Sequence, residues 1–127
     1  MRDEISASIN ENYQVINVSE NHSWKSDEPI ELGGRNVGPT PIQLLLSALA
    51  SCKLITMRMY AERKEWITGQ INIHLSIEQL ADKTVIHKEI TFSSPVSDEQ
   101  KKRLSEISNR CPVAKMITHP IEFKLND

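Results

Sequence analysis

A chain of 127 residues with 17 acidic and 15 basic side chains carries a net charge of −2 and suits one domain with a single core. That balance excludes the basic footprint of a nucleic-acid binder. The start, Met1-Arg2-Asp3-Glu4-Ile5, lacks the apolar run of a secretory signal, and Lys53 and Arg58 interrupt the most apolar stretch, so we expect a cytoplasmic protein with no membrane-spanning segment.

Ile5, Ala7 and Ile9 alternate with Ser6, Ser8 and Asn10, which predicts a half-buried strand. A turn at Asn10-Glu11-Asn12 leads to a second strand over 13–18, and Glu20-Asn21 turns the chain into a third over 22–25. Residues 31–39 hold three of the four glycines and no periodicity, which predicts an irregular loop. The loop ends in a helix start. Thr40 can cap, Pro41 suits the first helical position, and Gln43 can reach back to the cap's N–H. The following residues are apolar nearly all round and predict a buried helix over 41–64, roughly 36 Å long. One small domain covers such a helix poorly, so a subunit interface is expected.

Ile71, Ile73, Leu75 and Ile77 alternate with polar residues, and after an Asp82-Lys83 turn a matching strand runs over 85–92. His74 and His87 fall on polar positions of this hairpin, an expected cross-strand pair rather than a zinc site. Arg58, Arg63 and Lys64 read as the solvated end of the long helix. Ser97-Asp98-Glu99-Gln100 opens an amphipathic helix, Pro112 opens a short helical turn, and 121–125 predicts a closing strand. The order predicts an α+β fold, an antiparallel sheet with a long central helix and a second helix, in a single domain over 1–127.

Two cysteines carry the case for chemistry. Cys52 lies in the apolar helix, whereas Cys111 sits in Asn109-Arg110-Cys111-Pro112-Val113, at the mouth of the short helix. Arg110 and Lys115 favour a thiolate at Cys111; the apolar neighbours of Cys52 disfavour one unless a cation arrives from elsewhere in the fold. Either the two form a redox pair or they are core filler, and a bridge needs Cα atoms within about 7 Å. The histidine and cysteine spacings suit no metal, the glycines do not cradle a phosphate, and no Ser/His/Asp arrangement is recognisable. We therefore expect no metal and no cofactor.

Three segments carry a family resemblance: Leu32-Gly33-Gly34-Arg35 through Thr40-Pro41-Ile42-Gln43 to Ala50-Ser51-Cys52, then Thr56-Met57-Arg58-Met59-Tyr60-Ala61, then Asn109-Arg110-Cys111-Pro112-Val113. Together they resemble the osmotically inducible protein C and organic hydroperoxide resistance (OsmC/Ohr) family over essentially the whole chain. The resemblance implies an intertwined OsmC-like homodimer and a thiol-dependent peroxidase acting on organic hydroperoxides. It makes Cys52 the peroxidatic and Cys111 the resolving cysteine, with a thiol or lipoyl-type reductant restoring the pair. Family peroxidases carry a glutamate just after the helix-opening proline and an arginine from the N-terminal hairpin. Here those helix positions hold Ile42 and Gln43, and the hairpin around Glu11 and Asn12 has no arginine. Arg35 is the candidate stand-in, with Gln43 as a second supporting residue. A pocket on Leu45, Leu49 and Met57, or on their dimer mates, would favour organic peroxides. These departures leave open an alternative, a redox-sensing or small-ligand-binding dimer with weak or no peroxidase activity.

Overall fold

The computed structural model describes residues 3–126. The chain divides into two compact units, Met1–Leu45 and Leu46–Asp127. In the first, β1 (Ser6–Ile9), β2 (Val15–Ser19) and β3 (His22–Ser26) form an antiparallel sheet in that order. Ile9 lies opposite Val15, and Val15 opposite Ser26, so the two turns set the register as the alternation predicts. A single helical turn over Ile30–Leu32 ends at Gly33 in the left-handed conformation, φ 91°. At Gly34 a Cβ would collide with the Glu28 carbonyl, so this loop closes only on glycine.

Asp27 organises that loop. Its carboxylate is 2% exposed and accepts from the backbone N–H groups of Glu28, Arg35 and Val37 at 2.7, 3.1 and 3.2 Å. Burial pushes this carboxyl up, but the three donors and the Arg35 charge more than offset it and hold its pKa below the ordinary aspartate value. Nearby, the buried Asn17 amide donates to Ser26 Oγ at 3.2 Å. The buried groups of this unit are polar, while Ile9, Ile16, Val18 and Trp24 stay exposed.

The unit boundary falls inside α1 (Pro41–Arg63), after its first turn. Beyond it come the hairpin β4 (Ile71–Gln79) and β5 (Thr84–Phe92), then α2 (Asp98–Ser108) and α3 (Pro112–Ile117). The expected capping box of α1 forms, and α2 has one as well. Thr40 and Gln43 exchange their bonds at 2.9 and 3.1 Å, and Ser97 and Gln100 do the same at 3.1 Å each. The core of this unit joins Met57, Tyr60 and Ala61 of α1 with Ile71 of β4 and Leu104 and Ile107 of α2. Trp66 meets Tyr60 edge-on, 5.6 Å between ring centres. The α+β class with antiparallel sheets is as expected.

Several local expectations are corrected. The long helix is buried only along Leu49, Lys53, Met57, Tyr60 and Ala61, one stripe at helical spacing, while Ile42, Leu45, Ile55 and Met59 are exposed. Its composition supplies more apolar surface than one chain covers. Among the described residues it is the one helix long and apolar enough to cross a membrane. Its two internal charges are nevertheless bonded to groups of the second unit. Arg58 is not solvated: its guanidinium donates to Thr68 Oγ1 (3.1 Å) and to the Gly69 carbonyl (2.8 Å). His74 faces Glu89 rather than His87, because the Gln79–Thr84 end pair fixes the register; His87 Nε2 instead lies 3.0 Å from Glu78 Oε1. Residues 121–126 have no regular structure, since no described strand pairs with them.

Candidate functional site

Both cysteines lie in the second unit as free thiols, with exposures opposite to expectation. Cys52 falls beside the buried stripe of α1 and is only half-buried, whereas Cys111 is completely buried. The cause is local. Leu104, Ile107 and Ser108 draw the end of α2 into the interior, and Cys111 follows directly. The Arg110 N–H donates to the Ile107 carbonyl (2.9 Å) and the Lys115 N–H to the Cys111 carbonyl (3.2 Å), which fixes the turn into α3.

Lys53 ties the two cysteine-bearing segments together. It follows Cys52 in α1, is 8% exposed, and donates from Nζ to the Ser108 carbonyl at 3.1 Å, three residues before Cys111. A second ammonium arrives from β5. Lys88 Nζ donates to Ser108 Oγ and Asn109 Oδ1, each at 2.8 Å. Burial pushes the Lys88 pKa below the ordinary lysine value and the like charge of Lys53 adds to this, while Cys111 acts in the opposite sense. The sequence marks Lys53 only as a charge that interrupts an apolar run and Lys88 only as a polar position on a strand.

A cleft of about 780 Å³ is lined by chain neighbours of the cysteines, among them Thr56, Met59, Ile107, Arg110 and Pro112, though by neither cysteine itself. Thr56 lies one turn after Cys52 and donates its hydroxyl to the Cys52 carbonyl at 2.7 Å. Arg110 and Pro112 bracket Cys111. The cleft is not the pocket expected on Leu45, Leu49 and Met57, because Leu49 and Met57 are buried in the interior. Tyr60 also lines the cleft; its hydroxyl accepts from Arg103 Nε (2.9 Å), and this bond, with the nearby cations, holds the phenol below its usual pKa. Arg63 and Lys64 each stand 5.7 Å from the centre of that ring.

Arg35 and Gln43 belong to the first unit. The Arg35 guanidinium donates to Asn12 Oδ1 at 3.4 Å, so it reaches the tip of the β1–β2 hairpin. The side-chain oxygen of Gln43 is engaged by the Thr40 N–H.

The OsmC-like protein family model matches residues 33–126, a span that includes the glycine loop and both cysteines. No curated protein matches the chain. Among solved structures, the fold is similar to that of a Psychrobacter arcticus protein named for osmotic stress induction and detoxification response, at 24% identity over 91% of this chain and 88% of that one, TM-score 0.78. It is similar also to an OsmC-like protein of Mycoplasma pneumoniae, at 23% identity over 92% and 87%, TM-score 0.74. The organic hydroperoxide resistance protein OhrB of Bacillus subtilis shares 14% identity over 93% and 91%, TM-score 0.67. Identities this low speak for the fold alone. The family match, however, runs from the glycine loop through Cys52 to beyond Cys111, and on that span the chain belongs to the OsmC-like family.

Proposed function

We propose that the protein is a thiol-dependent peroxidase that reduces organic hydroperoxides through Cys52 and Cys111. The observation that carries this reading is the Lys53–Ser108 bond, which joins the two free-thiol segments, neighbours of which line one cleft. Cys52, the more accessible thiol, meets the peroxide. Its thiolate attacks the O–O bond: an S–O bond forms, the O–O bond breaks, and the leaving alkoxide takes a proton and departs as an alcohol. The Cys111 thiolate then attacks the Cys52 sulfenic sulfur, an S–S bond forms, and hydroxide leaves to become water. Both electrons come from the thiol pair, and a thiol or lipoyl-type reductant returns them by exchange. Met59, Ile107 and Pro112 give the cleft an apolar lining that suits an organic peroxide.

We further place the protein in the cytoplasm as a homodimer. Ile55 and Met59 on α1 are 55% and 60% exposed, and Phe123 and Leu125 more than 90%, an amount of bare apolar surface that a second copy would cover.

The test is an intact-mass and free-thiol measurement after adding one equivalent of an organic hydroperoxide to the reduced protein. Loss of both thiols with a drop of about two hydrogens supports the cycle. Two thiols persisting under excess peroxide overturn it. Gln43 favours the second reading, a redox-sensing or ligand-binding dimer, because its side chain is spent on the helix cap where family peroxidases carry a glutamate. That reading gains if the thiols disappear only slowly.

A further inference from the structure

We propose that the cleft beside Tyr60 binds a linear organic anion, an alkyl chain ended by a carboxylate, with Arg63 and Arg110 as its charge anchors. The ligand needs no reactive group, so the inference goes beyond the peroxidase reading and stands or falls without it.

The cleft, about 780 Å³, is lined by residues of the second unit, and its size suits a small molecule. One part of the lining is a stripe of α1. Thr56, Met59, Tyr60 and Arg63 recur at helical spacing, so they share one face of that helix. The rest comes from Ile107 of α2 and from Arg110 and Pro112 in the turn into α3. Each part therefore sets apolar side chains beside one guanidinium. Met59 leaves 60% of its surface bare.

The two arginines differ from Arg103, which is engaged by the Tyr60 hydroxyl and by Glu106 at 3.3 Å. Among the described residues neither Arg63 nor Arg110 forms an ion pair with a carboxylate. Arg63 instead stands 5.7 Å from the centre of the Tyr60 ring, which rests its charge on a residue of the lining. A cation in the last turn of a helix is favourable by itself, and that explains an arginine at 63. It does not explain a second at 110, beyond the end of α2, bordering the same apolar space. A carboxylate pairs with guanidinium through charge-assisted hydrogen bonds, while an alkyl chain gains by covering Met59, Ile107 and Pro112. A neutral chain gains only the second, and a cationic chain meets like charges. Two guanidiniums less the carboxylate of Glu62 leave one net positive charge on the lining, which a monoanion matches. Under the peroxidase reading, such an anion competes with a neutral peroxide for the same space.

The test titrates the intact protein with octanoate, octanol and octylammonium by calorimetry, and uses the methyl NMR signals of Met59 and Ile107 to place the ligand. We expect octanoate to bind about tenfold tighter than octanol and octylammonium weakest, with the octanoate advantage fading at high salt. Arg63→Gln and Arg110→Gln should each weaken octanoate about threefold and leave octanol unchanged. In the double variant the two ligands should bind alike. Glu62→Gln should act in the opposite sense and tighten octanoate. All three positions are exposed, and circular dichroism checks the fold of each variant. If an arginine variant does not fold, Glu62→Gln and the salt dependence of the wild type decide. Equal affinity of the wild type for octanoate and octanol overturns the proposal, as does octanoate binding unaltered in the double variant or methyl shifts that spare Met59 and Ile107. So does a dimer that binds no octanoate, which gives the cleft to a second copy. Failure of the peroxidase reading shows separately, as thiols that persist under excess peroxide in a protein that binds octanoate.

Discussion

The two units of this chain are built from opposite materials. In the first, the buried groups are Asn17, Ser26 and Asp27, held by hydrogen bonds, while Ile9, Ile16, Val18 and Trp24 look outward. In the second, Met57, Leu104 and Ile107 are buried against one another, and the polar groups that go under, Lys53, Thr68 and Ser108, are each hydrogen-bonded. Apolar content alone therefore does not say where a core forms. The first unit has the alternation of a half-buried sheet but supplies no apolar layer of its own.

The contrast breaks first at the core of the second unit. Leu104→Ala should cost about 2–5 kcal/mol, because a fully buried leucine leaves a cavity among Met57, Ile71 and Ile107. Denaturant melting measures it, and a loss under about 1 kcal/mol would mean that this cluster is not the core. In the first unit the corresponding change is polar. Asp27→Asn exchanges a three-donor acceptor for a group that carries donors itself, so the amides of Arg35 and Val37 should lose their protection from hydrogen exchange. Acid should mimic it. The folded Asp27 pKa lies below the unfolded one, so its contribution is fully present above the unfolded value near 3.8 and is lost as pH falls through the folded value. Wild type should therefore lose stability on acidification more steeply than Asp27→Asn; parallel acid profiles would remove Asp27 from its organising role.

The local signals that carried through are those whose cause is local. Both capping boxes are written in four consecutive residues, and both form. The alternation in Ile71, Ile73, Leu75 and Ile77 makes β4 with those side chains on its better covered face. What failed depends on distant chain. The apolar surroundings of Cys52 say that it sits on a greasy helix, not that the covering elements lie along Leu49, Lys53 and Met57. The burial of Cys111 follows from how α2 is drawn in by Leu104 and Ile107, which no property of Arg110 or Pro112 reveals. The Lys53–Lys88 meeting spans a hairpin and a helix, and a pairing of like charges is the last thing that patterning suggests. The family resemblance reached the cysteines through their motifs, and there the legibility of the site ended.

The capping boxes sharpen the comparison at a finer scale. Ser97→Ala should cost about 1 kcal/mol, since it removes the acceptor for the Gln100 N–H and leaves an 11-residue helix with one cap bond fewer. An unchanged melting temperature would show that the packing of Leu104 and Ile107 alone starts α2.

The smallest effect belongs to Gln43→Glu, and its sign is opposite. The first turn of α2 carries Asp98 and Glu99, whereas that of α1 carries no acidic residue. A glutamate at 43 can keep both box bonds, because its carboxylate accepts from the Thr40 N–H as the amide oxygen does. It also sets a negative charge against the positive end of a 23-residue helix, a gain of about 0.3–1 kcal/mol at low salt. Screening should erase that gain at high salt. Equal melting temperatures for the two proteins at low salt would sink the helix-end argument. Peroxide turnover, measured on the same sample, separates capping from chemistry. If only stability rises, position 43 serves the helix; if turnover rises as well, the carboxylate of the family peroxidases has been restored to a site that still responds to it.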